Sequence, residues 1–317
     1  MTRTGTMTIY QDHIGIDVSK DQLDLFSIAR DKAWRIANER DAIRVLLREL
    51  PPDALVVFEA TSVYDKTLRR VLSRAGRPFA RVNPRRAREF ARATGLLAKT
   101  DRVDARMLAW LGARLDPTPT CEPSPERQHL AELLQRRNQL VEMRKQEKTR
   151  LKQVDPGPLR RDIKSLIEVL SRHIATFERA IKNLIETNTE FDRLVHTLQT
   201  APGVGPVIAA TLIAEMPELG NLDRRAVALL AGLAPIADDS GKRKGYRKIS
   251  GGRPRLRRAL YLAALTAKRN PAFQPFYDRL RDNGKQPKTA IIAVARKLIV
   301  TLNAMIRNNE TFKQQTA

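Results

Sequence analysis

The sequence predicts an α/β domain at the N-terminus, a long helical or coiled-coil middle region, and a mainly α-helical C-terminal domain. Three observations lead to this fold class. Short segments of alternating apolar and polar residues occupy positions 13–37, a proline-rich stretch follows at 116–125, and apolar residues recur every three or four positions from 159 to 184. Alternation is typical of half-buried strands, and the longer step is typical of amphipathic helices.

The first domain is predicted to span 10–115. Its predicted elements are, in order, three strands of an antiparallel meander (14–16, 23–28, 33–36), a helix (41–50), a strand (55–58), a helix (62–75), a strand (79–82) and a helix that starts near 99. Pro51 and Pro52 end the first helix, and Gly76 ends the second as a C-terminal cap. This order of elements is that of a ribonuclease-H-like fold.

The stretch 116–125 contains four prolines and predicts a linker between domains. The region 126–197 is predicted to be helical, with a break at the Pro156-Gly157-Pro158 segment. Its apolar stripe leaves two interpretations open, a pair of antiparallel helices or a coiled-coil arm for dimerisation. The remaining domain is predicted at 198–310.

The charge balance predicts a nucleic-acid partner. The chain of 317 residues has 58 Lys and Arg against 35 Asp and Glu, which gives a formal net charge of +23. Basic residues along the whole chain favour binding to a phosphate backbone over binding to a membrane surface. No uninterrupted apolar run approaches the ~20 residues of a membrane span. A single cysteine, Cys121, fits a reducing cytoplasm.

Four acidic residues are the candidate metal ligands. Asp17 and Glu59 end two short apolar runs, and Asp101 and Asp104 lie three residues apart at the start of a predicted helix. A step of three places both carboxylates on one helical face. Strand ends and a helix start can converge on one point, where a divalent metal would serve a polyanionic substrate.

Two glycines precede an apolar helix predicted at 207–214. Gly203 and Gly205 would allow backbone N–H groups to approach a phosphate, and the following helix N-terminus would favour the anion. The pattern predicts a helix-hairpin-helix contact with a nucleic-acid backbone. An ordinary tight turn between two helices is the alternative.

A basic, glycine-rich segment forms the second chemical constellation. No acidic residue occurs between 242 and 258, and this segment contains a set of candidate phosphate contacts: Lys242, Arg243, Lys244, Arg247, Lys248, Arg253 and Arg257. A serine beside such a set could attack a phosphodiester if the phosphate is held and neutralised. Ser240 and Ser250 are equally plausible nucleophiles on the residues alone.

Several motifs occur together in one order along the chain. They are Ile16-Asp17-Val18-Ser19-Lys20, Phe58-Glu59-Ala60-Thr61, Asn83-Pro84, the segment 99–106, Pro202-Gly203-Val204-Gly205, Gly232-Leu233-Ala234-Pro235, Ser240-Gly241, Ile249-Ser250-Gly251-Gly252 and Arg257-Arg258-Ala259-Leu260-Tyr261. Taken jointly, the sequence closely resembles the transposases of the insertion-sequence one-hundred-ten family, relatives of the pilin-gene invertases. The resemblance extends from about residue 12 to 300.

The resemblance implies an N-terminal domain similar to the RuvC-like Holliday-junction resolvase fold. It implies that Asp17, Glu59, Asp101 and Asp104 bind Mg²⁺, and that Ser240, not Ser250, forms a 5′-phosphoserine link. It also implies double-stranded target and donor DNA, a structured guide RNA and a dimer or tetramer of this chain, with the long helices mediating assembly. A bacterial cytoplasmic, nucleoid-associated location is expected.

Two other functions stay open at this point. A junction-resolving nuclease would use the acidic tetrad for two-metal hydrolysis, with Ser240 as a mere phosphate contact. A non-catalytic nucleic-acid-binding protein would use only the basic surface, and its four acids would be surface charges.

Overall fold

The computed structural model describes residues 10–60, 63–95, 101–120, 122–236 and 247–313, and the side chains of these except at 63 and 101–103. The described chain divides into two compact units, Met1–Glu122 and Pro123–Ala317. The four-part division predicted from the sequence stays a prediction.

The first unit is built on a five-stranded mixed sheet. Its elements are β1 (His13–Val18), β2 (Gln22–Ser27), β3 (Lys32–Ala37), α1 (Arg40–Glu49), β4 (Leu55–Glu59), a 3₁₀ turn (Val63–Asp65), α2 (Lys66–Arg74), β5 (Phe79–Val82), α3 (Pro84–Ala93) and α4 (Asp101–Leu115). The strand order is β3-β2-β1-β4-β5. The meander is antiparallel, while β4 runs parallel to β1 and β5 parallel to β4. The predicted α/β sheet is therefore confirmed.

Helices cover both faces of this sheet. On one face, apolar residues of α1 and α2 share a core with alternate residues of β1 and β4, including Ile14, Ile16 and Phe58. On the other face, residues of α4 pack with Leu55 and Val57 of β4. Because successive strand residues point to opposite faces, the two cores divide the residues of each strand between them.

The proline-rich stretch is packed against the first unit instead of leaving it as a free linker. The N–H of Thr120 donates to the carbonyl of Phe79 at 2.6 Å, and its Oγ1 accepts from the N–H of Arg81 at 2.9 Å. Glu122, with 7% of its side chain exposed, forms an ion pair with Arg69 at 2.5 Å. The stretch therefore lies beside β5 and is hydrogen-bonded to it before the second unit begins.

The second unit is mainly helical in its described part, as predicted. Its elements are α5 (Pro125–Leu151), α6 (Pro158–Glu186), α7 (Thr189–Gln199), α8 (Pro206–Glu215), α9 (Arg224–Leu230), β6 (Pro235–Ile236), β7 (Lys248–Ile249), α10 (Pro254–Ala267), α11 (Gln274–Asp282) and α12 (Pro287–Asn308).

Helices α5 and α6 form an antiparallel pair, the first of the two arrangements left open by the sequence. Arg137 on α5 pairs with Glu178 on α6 at 2.6 Å, and Arg144 bonds to Ser171 at 3.2 Å. The partner's position on α6 falls from 178 to 171 as the position on α5 rises from 137 to 144, so the two helices run antiparallel. The apolar stripe of α6 is mostly buried against α5, except near the hairpin turn.

Within the described chain, α12 is long and apolar enough to cross a membrane by length and composition alone. Half of its apolar stretch is buried. Val294, Leu298 and Leu302 are fully buried in the helical core of the second unit. The helix therefore packs as a core helix.

Candidate active site

Asp17 and Glu59 lie side by side at one edge of the sheet. The parallel pairing of β1 with β4 aligns Ile16 with Phe58, so that Asp17 and Glu59 are the next residues along the two strands. Adjacent strands lie about 4.8 Å apart. Both acidic residues are half-buried. The strand ends therefore bring together two carboxylates that are far apart in the sequence.

Helix α4 carries the other two acids toward the same edge. A Cβ added at Gly15 would lie 1.9 Å from the carbonyl oxygen of Ala105 and 2.4 Å from the N–H nitrogen of Ala109, so α4 rests directly on β1. One added at Gly112, near the other end of α4, would lie 3.3 Å from the ring of His13, the first residue of β1. The helix therefore runs antiparallel to β1.

The direction of α4 places its start at the acidic edge. Asp104 precedes Ala105, which covers Gly15, and Asp101 is the first residue of the helix. Asp17 shares the face of Gly15 because residues two apart in a strand point the same way. Asp17, Glu59 and the start of α4 thus meet at one edge and on one face of the sheet.

The residue types at this edge suit a divalent metal. Mg²⁺ prefers oxygen ligands, and it is usually held by one or two carboxylates together with substrate phosphates. Among the side chains that the structure describes, no three acids, histidines or cysteines are arranged to hold an ion. The Asp101 side chain lies outside those described, so the tetrad as a metal site stays a proposal.

A neighbouring acid was missed by the sequence reasoning. Asp24 on β2 pairs in register with Asp17, and Arg35 on β3 pairs in register with Asp24. Asp24 has only 8% of its side chain exposed and forms an ion pair with Arg35 at 2.8 Å. A row of charged residues therefore crosses the sheet, from Arg35 on β3 through Asp24 on β2 and Asp17 on β1 to Glu59 on β4. The signal in the sequence was an aspartate between two leucines of a predicted strand.

Basic residues at the start of α3 were also missed. Val82, the last residue of β5, pairs with Glu59, and α3 begins two residues later, so its start lies at the acidic edge. Asn83 caps this helix by accepting the N–H of Arg85 at 2.9 Å. Arg86 and Arg88 are exposed there. The signal was the basic run after Asn83-Pro84, which the sequence analysis used only as a family motif.

In the second unit, Ser240, Lys242, Arg243 and Lys244 lie outside the described residues. The described chain on either side of them is fixed by a short antiparallel pairing. Ile236 of β6 pairs with Lys248 of β7, and Pro235 pairs with Ile249. The predicted contacts Arg247 and Lys248 are exposed at this pairing.

Two glycine motifs of the sequence interlock beside that pairing. Gly252 has φ +67°, and a Cβ added there would lie 2.2 Å from the backbone nitrogen of Gly232. Arg257 donates to the carbonyl oxygen of Gly251 at 2.8 Å and to that of Gly232 at 3.4 Å. The two backbones therefore touch, and the guanidinium of Arg257 ties them together.

Arg253 is engaged inside the protein. Its guanidinium binds both carboxylate oxygens of Glu218, at 2.6 and 2.8 Å, and donates to the carbonyl of Glu215 at 2.6 Å. Burial alone would raise the pKa of Glu218, but the hydrogen bond and charge of Arg253 hold it below its ordinary value. The same bond raises the pKa of Arg253. Arg253 thus joins the start of α10 to the end of α8.

Replacing Arg253 by Gln should lower the free energy of unfolding by about 1–2 kcal/mol, less than for a fully buried pair because each side chain is about one-third exposed. Since the folded-state pKa of Glu218 is lowered, the ion pair stabilises the fold above the unfolded pKa of about 4.3 and loses this effect as pH falls through the lowered value. Urea unfolding at neutral and acidic pH measures both effects.

The matched control is Arg255→Gln, which removes the pair between the half-exposed Arg255 of α10 and Glu215 of α8 at 3.1 Å. It should change stability by less than about 0.5 kcal/mol. If Arg253→Gln weakened DNA binding without lowering stability, Arg253 would be a phosphate contact, as the sequence predicted.

Gly203 has a packing role in the turn between α7 and α8. Its φ is +81°, and an added Cβ would lie 2.2 Å from the carbonyl oxygen of Ala263 on α10. A Cβ added at Gly205 would have no atom within 4 Å. Close packing against α10 therefore requires a glycine at position 203. Phosphate binding by Gly203 and Gly205 stays a prediction.

Two family profiles match this chain. A profile described as a transposase matches residues 14–154, which include all four acids. A second profile, the transposase IS116/IS110/IS902 family, matches residues 195–278, which include Ser240. Together they match well over half of the chain. The chain belongs to the IS116/IS110/IS902 family of transposases.

Curated relatives of this transposase carry consistent names. The "Pilin gene-inverting protein" of Moraxella bovis is 29% identical over 322 residues, covering 96% of this chain and 98% of that protein. The protein of the same name from Moraxella lacunata has the same identity and coverage. The "uncharacterized 42 kDa protein" of insertion element IS900 from Mycobacterium paratuberculosis is 34% identical over 143 residues, covering 42% of this chain and 34% of that protein.

Membership of this family of transposases makes the chain a DNA-recombining enzyme. The prediction of the family from the ordered motifs is therefore confirmed. The family profiles do not decide the roles of individual residues.

Proposed function

We propose that this transposase cuts and rejoins double-stranded DNA through a covalent serine link. Asp17, Glu59, Asp101 and Asp104 hold Mg²⁺ at the edge of the sheet, and Ser240 is the nucleophile. The observation that carries the proposal is the convergence of Asp17, Glu59 and the start of α4 at one edge. The sheet order β3-β2-β1-β4-β5 supports the RuvC-like assignment of the first unit.

The carboxylates and the basic residues have separate tasks. A divalent metal held by these carboxylates would neutralise charge on the scissile phosphate and so lower the barrier to attack. Asp17 and Glu59 would supply ligands held at the ends of paired strands, while Asp101 and Asp104 would supply theirs from the start of α4. Lys242, Arg243 and Arg247 hold the neighbouring phosphates by their positive charge.

The serine step conserves the number of phosphoester bonds. The Ser240 oxygen gives up its proton and forms a bond to the phosphorus, while the bond from phosphorus to the 3′-oxygen breaks and that oxygen takes up a proton to leave as a 3′-hydroxyl. The 5′-phosphoserine link is then attacked by the 3′-hydroxyl of another end. That attack restores the DNA and the free serine without an outside energy source.

Several partners belong to this proposal. The excess of basic residues supports binding of target and donor DNA and of a structured guide RNA. A second copy of the chain is supported by apolar side chains near the turn of the α5–α6 hairpin, where Met143, Leu159 and Leu166 are 46%, 61% and 41% exposed. The proposal also includes a helix-hairpin-helix contact with the DNA backbone at Gly203 and Gly205. The location proposed for the protein is cytoplasmic and nucleoid-associated.

The deciding experiment traps the covalent link. The full chain is incubated with a donor–target DNA substrate, its guide RNA and Mg²⁺, then denatured and digested. A denaturation-resistant protein–DNA adduct located on Ser240 by mass spectrometry supports the proposal, and Ser240→Ala should lose it while Ser250→Ala keeps it. An adduct on Ser250 overturns the serine assignment.

The same experiment tests the two alternatives. A junction-resolving nuclease would give only free 5′-phosphate ends and no adduct, with the acids still required. A non-catalytic binding protein would give neither product nor adduct, and would tolerate substitution of all four acids.

A further inference from the structure

A groove lined by arginines runs between α1 and α2. It has a volume of about 590 Å³, and the buried Leu47 and Val71 are among the residues that line it. Among the described residues that line it there is no acid, and six are arginines: Arg40, Arg44, Arg48, Arg70, Arg74 and Arg77. The groove lies on the face of the sheet opposite α4, because α1 and α2 share their core with Ile14 and Phe58. It is therefore separate from the acidic site.

The arginines form two rows that follow the two helices. Arg40, Arg44 and Arg48 are spaced by four on α1, and Arg70 and Arg74 are spaced by four on α2. Residues four apart share a helix face with about 5–6 Å between their Cβ atoms. Eight residues of helix extend about 12 Å. Two rows of planar, bidentate donors beside a groove fit a repeating series of phosphates.

The rows begin near the acidic edge of the sheet. Strand β2 is antiparallel to both β1 and β3, so β3 runs in the same direction as β1. Strand β4 is also parallel to β1, and β3 and β4 therefore end at the same edge as Asp17. Helix α1 follows β3 and helix α2 follows β4. Both rows therefore start at the acidic edge and run away from it along the opposite face.

The charge of the groove is poorly compensated within the protein. Arg44 pairs with Asp41 at 3.1 Å, but the two side chains are 56% and 90% exposed, and such pairs contribute little. Arg40, Arg48, Arg70 and Arg74 are exposed. Like charges this close repel one another, and a polyanion relieves the repulsion.

Arg77 differs from the other five arginines. It donates to the carbonyl oxygen of Pro51 at 2.7 Å and also to that of Leu47, so it holds the end of α1 in place. Substituting it would disturb the groove itself. The experiment therefore leaves Arg77 unchanged.

We propose that this groove binds the sugar–phosphate backbone of duplex DNA beyond the bond that reacts at the acidic edge. DNA is the occupant because it is the substrate of the family, and because the rows start where DNA leaving the reacting bond would continue. This inference rests on the proposed function in one respect, which is that the DNA bond reacts at the acidic edge.

The test compares two triple variants of the full chain. Arg44→Gln/Arg48→Gln/Arg74→Gln neutralises the groove, and Arg161→Gln/Arg172→Gln/Arg179→Gln removes the same charge from exposed positions of α6. Binding to a fluorescent random-sequence duplex is measured by anisotropy against salt concentration, in EDTA. The groove variant should bind about 10- to 100-fold more weakly, and the slope of log affinity against log salt should fall by about 2–3.

The control variant should bind nearly as well as the wild type. An equal loss in both variants would overturn the proposal, since total charge alone would explain it. So would a loss of binding to a structured RNA with duplex binding unchanged. A second variant, Arg40→Gln/Arg70→Gln, should lower the slope by about 2. Because no cleavage is measured, a missing serine adduct would leave this result unaffected.

Discussion

Replacing Asp17 by Asn, or Glu59 by Gln, is expected to abolish strand cleavage and rejoining while leaving the protein folded. Each substitution keeps the size of the side chain and removes the negative charge that is proposed to hold the metal. Removing a group that stabilises developing charge typically costs on the order of 10²–10³-fold in rate. Two such ligands at adjacent strand ends should therefore each be indispensable.

The measurement is recombination between donor and target sites on a supercoiled plasmid, with the proposed guide RNA present. EDTA should stop the wild-type reaction, and added Mg²⁺ should restore it. Asp21→Asn is the matched control, because Asp21 is exposed in the turn between β1 and β2. Normal recombination by Asp17→Asn would show that Asp17 is not a required ligand.

Replacing Gly15 by Ala is expected to disable the enzyme by moving a helix. The new Cβ would lie 1.9 Å from the carbonyl oxygen of Ala105, and a backbone atom cannot rotate away as a side chain can. Helix α4 would have to shift from β1, and Asp101 and Asp104 would shift with it. Overpacking of this kind costs about 1–3 kcal/mol of stability, and a shift of about 1 Å near reacting groups costs about 10²-fold in rate.

The two effects can be separated by experiment. The free energy of unfolding is measured by urea titration, and recombination is measured at a temperature where the variant is folded. Gly157→Ala is the control, because a Cβ there would have no atom within 4 Å. An active Gly15→Ala protein with wild-type stability would show that α4 is not fixed on β1 by this contact.

The sheet of the first unit was predictable because its strands carry the alternation of half-buried segments. Each predicted strand of the meander overlaps an observed one, and the predicted strands at Leu55–Phe58 and Phe79–Val82 are found. The helix predicted at 62–75 is shorter. It begins at Lys66 after a 3₁₀ turn in which Asp65 binds Arg69 and Arg81. Local periodicity does not report such tertiary ion pairs.

The candidate site was predictable as residue types and less so as geometry. The acids at strand ends were visible in the sequence, but the close contact of Gly15 with α4 depends on which helix packs on β1. The pairing of Arg253 with Glu218 joins residues 35 apart, and charge composition alone suggested a phosphate contact. The arginine groove likewise depends on α1 and α2 being neighbours, which no single helix pattern reveals.

The extended segment beside β5 has a consequence for self-association. Unpaired strand edges invite pairing with a second chain. Prolines at 117 and 119 have no N–H to offer a further strand, and the N–H of Thr120, which follows Pro119, already donates to Phe79 of β5. At the opposite edge, β3 displays the charged residues Lys32 and Arg35. Both edges of the sheet therefore resist pairing with a strand of a second chain.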